Sequence, residues 1–168
     1  VVLAFPSSGL HTNGYSLARK LFFDLGGYTV DTKLPELAQT VGETLLAPHI
    51  NYTKPILHLL DQKISIKGMA HISGGGVLEN IPRVLPAHCS VEIEKNKCPI
   101  LPVFNVLQSL GQLDEQELYR TFNMGMGMVM IVSPEVVEEM RLVLKNHSDF
   151  PFYEIGKVVS GKSDVRLI

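Results

Sequence analysis

Ser7-Ser8-Gly9-Leu10-His11-Thr12-Asn13-Gly14-Tyr15-Ser16 places three serines, a threonine, a histidine and an asparagine within ten residues. Imidazole donates, accepts or relays a proton near neutral pH. An asparagine amide offers both a donor and an acceptor. The run lies between an apolar strand and a helix start, a common place for binding groups in α/β proteins. His11 and Asn13 are therefore candidate cleft residues. The competing reading is that Asn13 caps the helix and His11 makes one satisfying hydrogen bond. A serine nucleophile has less support, because Ser7-Ser8-Gly9 lacks the Gly-x-Ser-x-Gly elbow.

A second run, Ser73-Gly74-Gly75-Gly76, joins a strand to a helix. Three glycines let backbone N–H groups approach a ligand with no side chain in the way. A helix start just beyond adds the positive end of its dipole, so the loop suits a phosphate. A tight, closely packed turn would use the same residues. The loop is neither a Walker loop nor Gly-x-Gly-x-x-Gly. Arg83, just past that helix, could neutralise a phosphate or make a surface ion pair. The third run is Tyr119 to Met128, where Arg120 and Asn123 are the polar groups that could face a cleft. Met126, Met128 and Met130 would share one strand face, a stripe that reads as core. Among the other histidines, His71 stands out on the strand leading into Gly74. His49, His58, His88 and His147 read as solvated or structural, with no metal-ligand spacing.

These runs need elements to position them. Val1–Phe5 reads as a buried strand. Asn13 can cap a helix from Gly14 to about Asp24, with Tyr15, Ala18, Phe22 and Leu25 at helical spacing, stopped by Gly26-Gly27. Residues 34–46 suggest a short helix and then an extended stretch ending near Pro48. Thr53 can cap a helix carrying Ile56, Leu57 and Leu60. Strands are expected at 68–73, 90–94, 126–132 and 153–159, with a further one at 165–168. Helices are expected at 77–81, through Val103, Val106, Leu107 and Leu110, from a capping box at Asp114 and Glu117, and from Ser133-Pro134-Glu135 with Val137, Met140 and Leu144 buried. The fold class is α+β, α/β-like, with one mixed sheet and helices packed on it. One domain spanning 1–168 is expected.

Composition narrows the function. The 168 residues are 45% apolar and 19% charged, which argues against disorder. A net charge of −2 gives no sequence-independent attraction to nucleic acid. No apolar run approaches the ~20 residues of a membrane span, and no signal peptide is expected. Cys89 and Cys98 make neither a disulfide framework nor a zinc site, so a reduced intracellular compartment is expected. The opening residue is Val inside a buried strand, which suggests a start within a longer protein.

Together the three runs resemble aminoimidazole ribonucleotide (AIR) synthase, the phosphoribosylformylglycinamidine cyclo-ligase family. Residues 6–19 are similar to the opening motif of its C-terminal half. His71-Ile72-Ser73-Gly74-Gly75-Gly76-Val77-Leu78-Glu79-Asn80-Ile81-Pro82-Arg83 resembles its glycine loop, with Ser73 where Thr is common. Residues 119–128 match a third stretch, and the resemblance runs from about Val1 to Val159. It implies a step of de novo purine synthesis in the cytoplasm: formylglycinamidine ribonucleotide and ATP give aminoimidazole ribonucleotide, ADP and phosphate. The formyl oxygen is activated by phosphoryl transfer, and an amidine nitrogen then closes the ring.

Nothing here matches the family's Asp-Gly-Val-Gly-Thr-Lys nucleotide loop. The chain should therefore be the C-terminal half of a two-domain enzyme, inactive by itself. ATP and Mg2+ would be bound mainly through the absent N-terminal half, which would also supply most of a homodimer contact. The resemblance carries over His11 and Asn13 as catalytic residues of the cleft. It carries over Ser8, Gly74, Gly75, Gly76, Asn80 and Arg83 as substrate- or phosphate-binding, and no metal ligand. Other members of the superfamily are alternatives: the amidotransferase one step earlier, selenophosphate synthetase, a hydrogenase maturation protein or thiamine-phosphate kinase. A non-catalytic phosphate-binding module is another.

Overall fold

A computed structural model describes residues 1–145 and 150–168; His147 lies outside them. Among the described residues six strands are present: β1 (Val2–Pro6), β2 (Ile66–His71), β3 (Cys89–Ile93), β4 (Met126–Val132), β5 (Tyr153–Ser160) and β6 (Val165–Leu167). They form one sheet in the order β2-β4-β1-β5-β3-β6. Neighbours run antiparallel except β3 and β6, which are parallel, so the sheet is mixed as expected. The helices are α1 (Tyr15–Arg19), α2 (Val41–Leu45), α3 (Thr53–Asp61), α4 (Gly76–Asn80), α5 (Pro102–Gly111), α6 (Glu115–Thr121) and α7 (Val137–Leu144). Single 3₁₀ turns follow α4 at Ile81–Val84 and precede α7 at Pro134–Val136.

Alternation along the strands makes two cores. Val2 and Ala4 of β1 face one side, with Val129 of β4, Phe22, and Phe104, Leu107, Leu118 and Tyr119 of α5 and α6. Leu3 and Phe5 face the other side, with Met130, Leu59 of α3, and Val137, Met140 and Leu144 of α7. Burial on both faces explains why β1 is apolar throughout.

The structure departs from the sequence reading at five places. The α1 helix passes into a π-helical stretch over Lys20–Leu25. The wider turn rotates Leu25 off the core face, and it is 63% exposed. In residues 33–46 no extended stretch follows a helix; a turn closed by an isolated bridge from Lys33 to Thr40 comes first. The α2 helix follows, capped by a Thr40/Glu43 capping box that makes Thr40 the start signal. On α3 the buried residues are Pro55 and Leu59, with Ile56 half-buried, while Leu57 and Leu60 are exposed. Thr53 is its first residue and makes no side-chain cap. At the start of β4, Phe5 pairs with Met128 but Pro6 pairs with Met126, so Gly127 is an extra residue in a β-bulge. The bulge moves Met126 into the first core, while Met128 and Met130 stay in the second. Asn13 and Asn123, finally, have uses the sequence did not suggest, described next.

Candidate functional site

Strands β1 and β2 finish at the end of the sheet where β4 begins, because both run antiparallel to β4. Four segments therefore meet there: the serine–histidine loop after β1, the glycine loop after β2, residues 46–52 before α3, and residues 122–125 before β4.

Buried asparagines hold these segments together. Asn123 has no exposed surface. Its amide nitrogen donates to the Gly9 and Leu10 carbonyls at 2.9 and 3.1 Å. Its oxygen accepts from the Ser7 hydroxyl and the Gly125 N–H, both at 2.9 Å. It is a tie between loop and strand, not a cleft residue. Asn13 donates from its side chain to the Ile72 carbonyl at 3.0 Å, joining the two loops. It does not cap α1, whose cap position is Gly14 at φ 68°. Asn80 turns back into the glycine loop and donates to the carbonyls of Ser73, Gly74 and Gly76 at 3.2, 3.2 and 2.8 Å. Its oxygen accepts from the Ser73 hydroxyl at 3.1 Å.

The three loop glycines stand in different surroundings. A side chain on Gly76 would overlap the Tyr119 carbonyl of α6, so this glycine is needed for helix packing. Gly75 has φ +96°, and a Cβ there would meet the Glu79 side chain. Gly74 is exposed and has open space around it. Glu79 brings a carboxylate to the loop, and Arg120 pairs with it at 3.6 Å. Arg83 is exposed on the turn after α4. Its neighbour Val84 packs over Gly68, in the middle of β2, so the turn lies away from the strand's His71 end.

His11 is 2% exposed and has φ 53°, followed by Thr12 at φ 71°. Its Nε2 faces the backbone N–H groups of Ser8 at 3.0 Å and Ile50 at 3.4 Å. Two N–H donors aimed at one nitrogen assign the lone pair to Nε2 and the proton to Nδ1. The Ser8 hydroxyl lies 2.8 Å from the same nitrogen and donates to the Pro48 carbonyl. His11 Nδ1 is buried with no hydrogen-bond partner. Burial first, then His49 and His71 nearby, push its pKa down to about 4, so His11 is neutral at physiological pH.

Sequence spacing gave no sign of the cluster around it. His49 stacks on His11 with ring centroids 4.1 Å apart and planes 14° apart. The Nε2 atoms of His49 and His71 lie 3.2 Å apart. Tyr52 donates its hydroxyl to the Pro6 carbonyl at 2.7 Å. A Cβ on Gly127 would overlap that hydroxyl, which makes a glycine necessary at the bulge. Burial raises the Tyr52 pKa. A cavity of about 470 Å³ opens here, lined by His49, Asn51, Tyr52, Thr53 and His71 with Ile56, Leu57 and Met128. The one sequence signal was His71 at the end of its strand; His49, 38 positions beyond His11, had none.

Among the described residues no group of three or more His, Cys, Asp or Glu side chains is placed to hold a metal ion. Both cysteines are free thiols. No described helix is long and apolar enough to cross a membrane.

Fold and loops define a class of α+β domain, a mixed sheet with a histidine loop and a glycine loop at one end. Solved structures share the fold. A hydrogenase maturation protein, HypE of E. coli, superposes with a TM-score of 0.59 at 25% identity, over 99% of this chain and 45% of its own. Thiamine-monophosphate kinase from Stenotrophomonas maltophilia gives 0.59 at 14% identity, over 99% and 49%.

The chain belongs to the AIR synthase related family, matching its C-terminal domain over residues 1–168. Relatives named phosphoribosylformylglycinamidine cyclo-ligase are closer in sequence than these structures. The protein from Caldanaerobacter subterraneus is 44% identical over 167 residues, covering 99% of this chain and 49% of the relative. That from Latilactobacillus sakei is 46% identical over 159 residues, covering 94% and 46%. The chain thus spans about half the length of the curated relatives it matches.

Proposed function

We propose that residues 1–168 form the C-terminal half of a cyclo-ligase that converts formylglycinamidine ribonucleotide and ATP to aminoimidazole ribonucleotide, ADP and phosphate. The observation that carries this reading is the 41–46% identity to relatives of that name, sustained along nearly the whole chain. The other half would bind most of the ATP and its Mg2+, in a cytoplasmic homodimer.

In this reading the loops after β1 and β2 form one wall of a cleft between halves. Gly74, open on its outer side, is where the backbone can approach the substrate phosphate. Gly75 and Gly76 shape that loop, and Asn80 fixes it from beneath. Asn13 sets the distance between the two loops. Ser8 and His11 hold residues 48–50 against the first loop, and the neutral His11 ring supports His49. Arg83 is the outlying member and would meet the phosphate only from over β2.

The test is ADP release by the natural chain containing these residues, with and without formylglycinamidine ribonucleotide. Release that depends on that nucleotide, with aminoimidazole ribonucleotide as product, is expected. Residues 1–168 alone should show none. A folded, ATP-binding natural chain that forms no cyclised product would end this reading.

A further inference from the structure

We infer that His71 and His49 form a proton relay at the cavity, His71 taking a proton from the bound substrate and His49 delivering it to solvent. The inference rests on the ring-closing reading above. In that reaction the amidine nitrogen bonds to the formyl carbon. The bond from that carbon to the phosphorylated oxygen breaks, and phosphate leaves with the electron pair. The attacking nitrogen must also lose its proton, and that proton needs an acceptor.

The geometry gives this work to the exposed pair. Two imidazole nitrogens 3.2 Å apart are at hydrogen-bond distance, and one proton occupies the gap. With His71 carrying that proton on Nε2, its Nδ1 lone pair is free to accept. A proton arriving at Nδ1 lets the Nε2 proton pass to His49 Nε2, and His49 Nδ1 then releases its own to water. Both rings end neutral, as the opposite tautomers, with one proton moved.

His11 is excluded from the role because it is buried and its Nε2 already faces two N–H donors. Its part is positional, since stacking at 4.1 Å fixes the plane of the His49 ring. Tyr52 is committed to the Pro6 carbonyl. The titratable groups facing the pair are thus His11 and Tyr52. Met128 is its neighbour from β4, and no carboxylate, lysine or arginine lines the cavity among the described residues. Desolvation and then the charge of His49 hold the His71 pKa below the usual histidine value, which keeps a free lone pair at neutral pH.

The test is the pH profile of kcat for the natural full-length chain and two variants, each checked for an unchanged melting temperature. His71→Gln should lower kcat about 10²-fold. His49→Gln should lower it ~10-fold, water replacing part of the relay. It should also move the acidic limb to higher pH, because loss of a like charge raises the His71 pKa. A merely structural role would lower kcat without moving the limb. A His49→Gln profile in the wild-type position, or a His71→Gln enzyme with normal kcat, would overturn the relay. Wild-type chain that forms no cyclised product would overturn the reading beneath it. The His71 titration followed by NMR then tests the pair alone: a midpoint that does not rise in His49→Gln shows the two rings are uncoupled.

Discussion

His11 sits in left-handed backbone, a conformation that costs a residue with a side chain on the order of 1–3 kcal/mol. Its ring is buried in the neutral form. The depressed pKa has a direct consequence for stability. Unfolded, the ring titrates near its ordinary value of 6.5; folded, it titrates near 4. The unfolded chain therefore binds more protons between these values. The contribution of His11 is whole above about pH 6.5 and declines as pH falls to about 4, by at most roughly 3 kcal/mol. Comparing urea unfolding of wild type and His11→Gln at pH 7.5 and pH 4.5 should show a smaller loss in the variant. Equal losses would mean that His11 is not held neutral by the fold. That His11 is a candidate for a site was legible from the polar residues crowded around it. Its inability to exchange protons was not, because burial and the Ser8 and Ile50 N–H groups are products of tertiary structure.

Elements were legible wherever one period dominated. Strand β1, helix α5 and helix α7 appear where their apolar spacing put them, with Val103 and Leu107, and Met140 and Leu144, buried. Two of the misses share a physical cause, a local irregularity that changes the period: the π-helical turn that exposes Leu25 and the bulge that displaces Met126. The glycine loop shows the same limit. Three identical residues in sequence stand in three different surroundings, which suggests a discriminating experiment. Gly76→Ala should destabilise the chain by about 2–4 kcal/mol, through the clash with α6 and the positive φ. Gly74→Ala meets nothing, so its stability should stay within about 0.5 kcal/mol. If the loop receives a phosphate, Gly74→Ala should still raise KM for the phosphorylated substrate several-fold. Unchanged kinetics would remove Gly74 from the site.

At the scale of the molecule, the first strand of the chain lies in the interior of the sheet, between β4 and β5. Val2, Leu3 and Ala4 have no exposed surface. The last strand, β6, lies at an edge with β3 as its one partner. Deleting residues 1–4 should abolish cooperative thermal unfolding by circular dichroism, while deleting residues 165–168 should lower the melting temperature but keep the transition. The reverse order of damage would contradict the strand order. Strand order was not legible in the sequence, since hydropathy shows how a strand is buried but not which strand lies beside it. The asparagine ties also have a consequence for ionic strength. Ion pairs such as Lys95–Glu115 and Arg141–Glu154 lie on the surface, where added salt screens them. The loops after β1 and β2 are joined by the uncharged amide of Asn13, while those of Asn80 and Asn123 fix the second and the first loop from within, and salt has little purchase on those bonds. The two loops should keep their spacing in brine as in dilute buffer, so, if the proposed function holds, a salt effect on turnover would report the charges of the nucleotide arriving and not the shape of these loops.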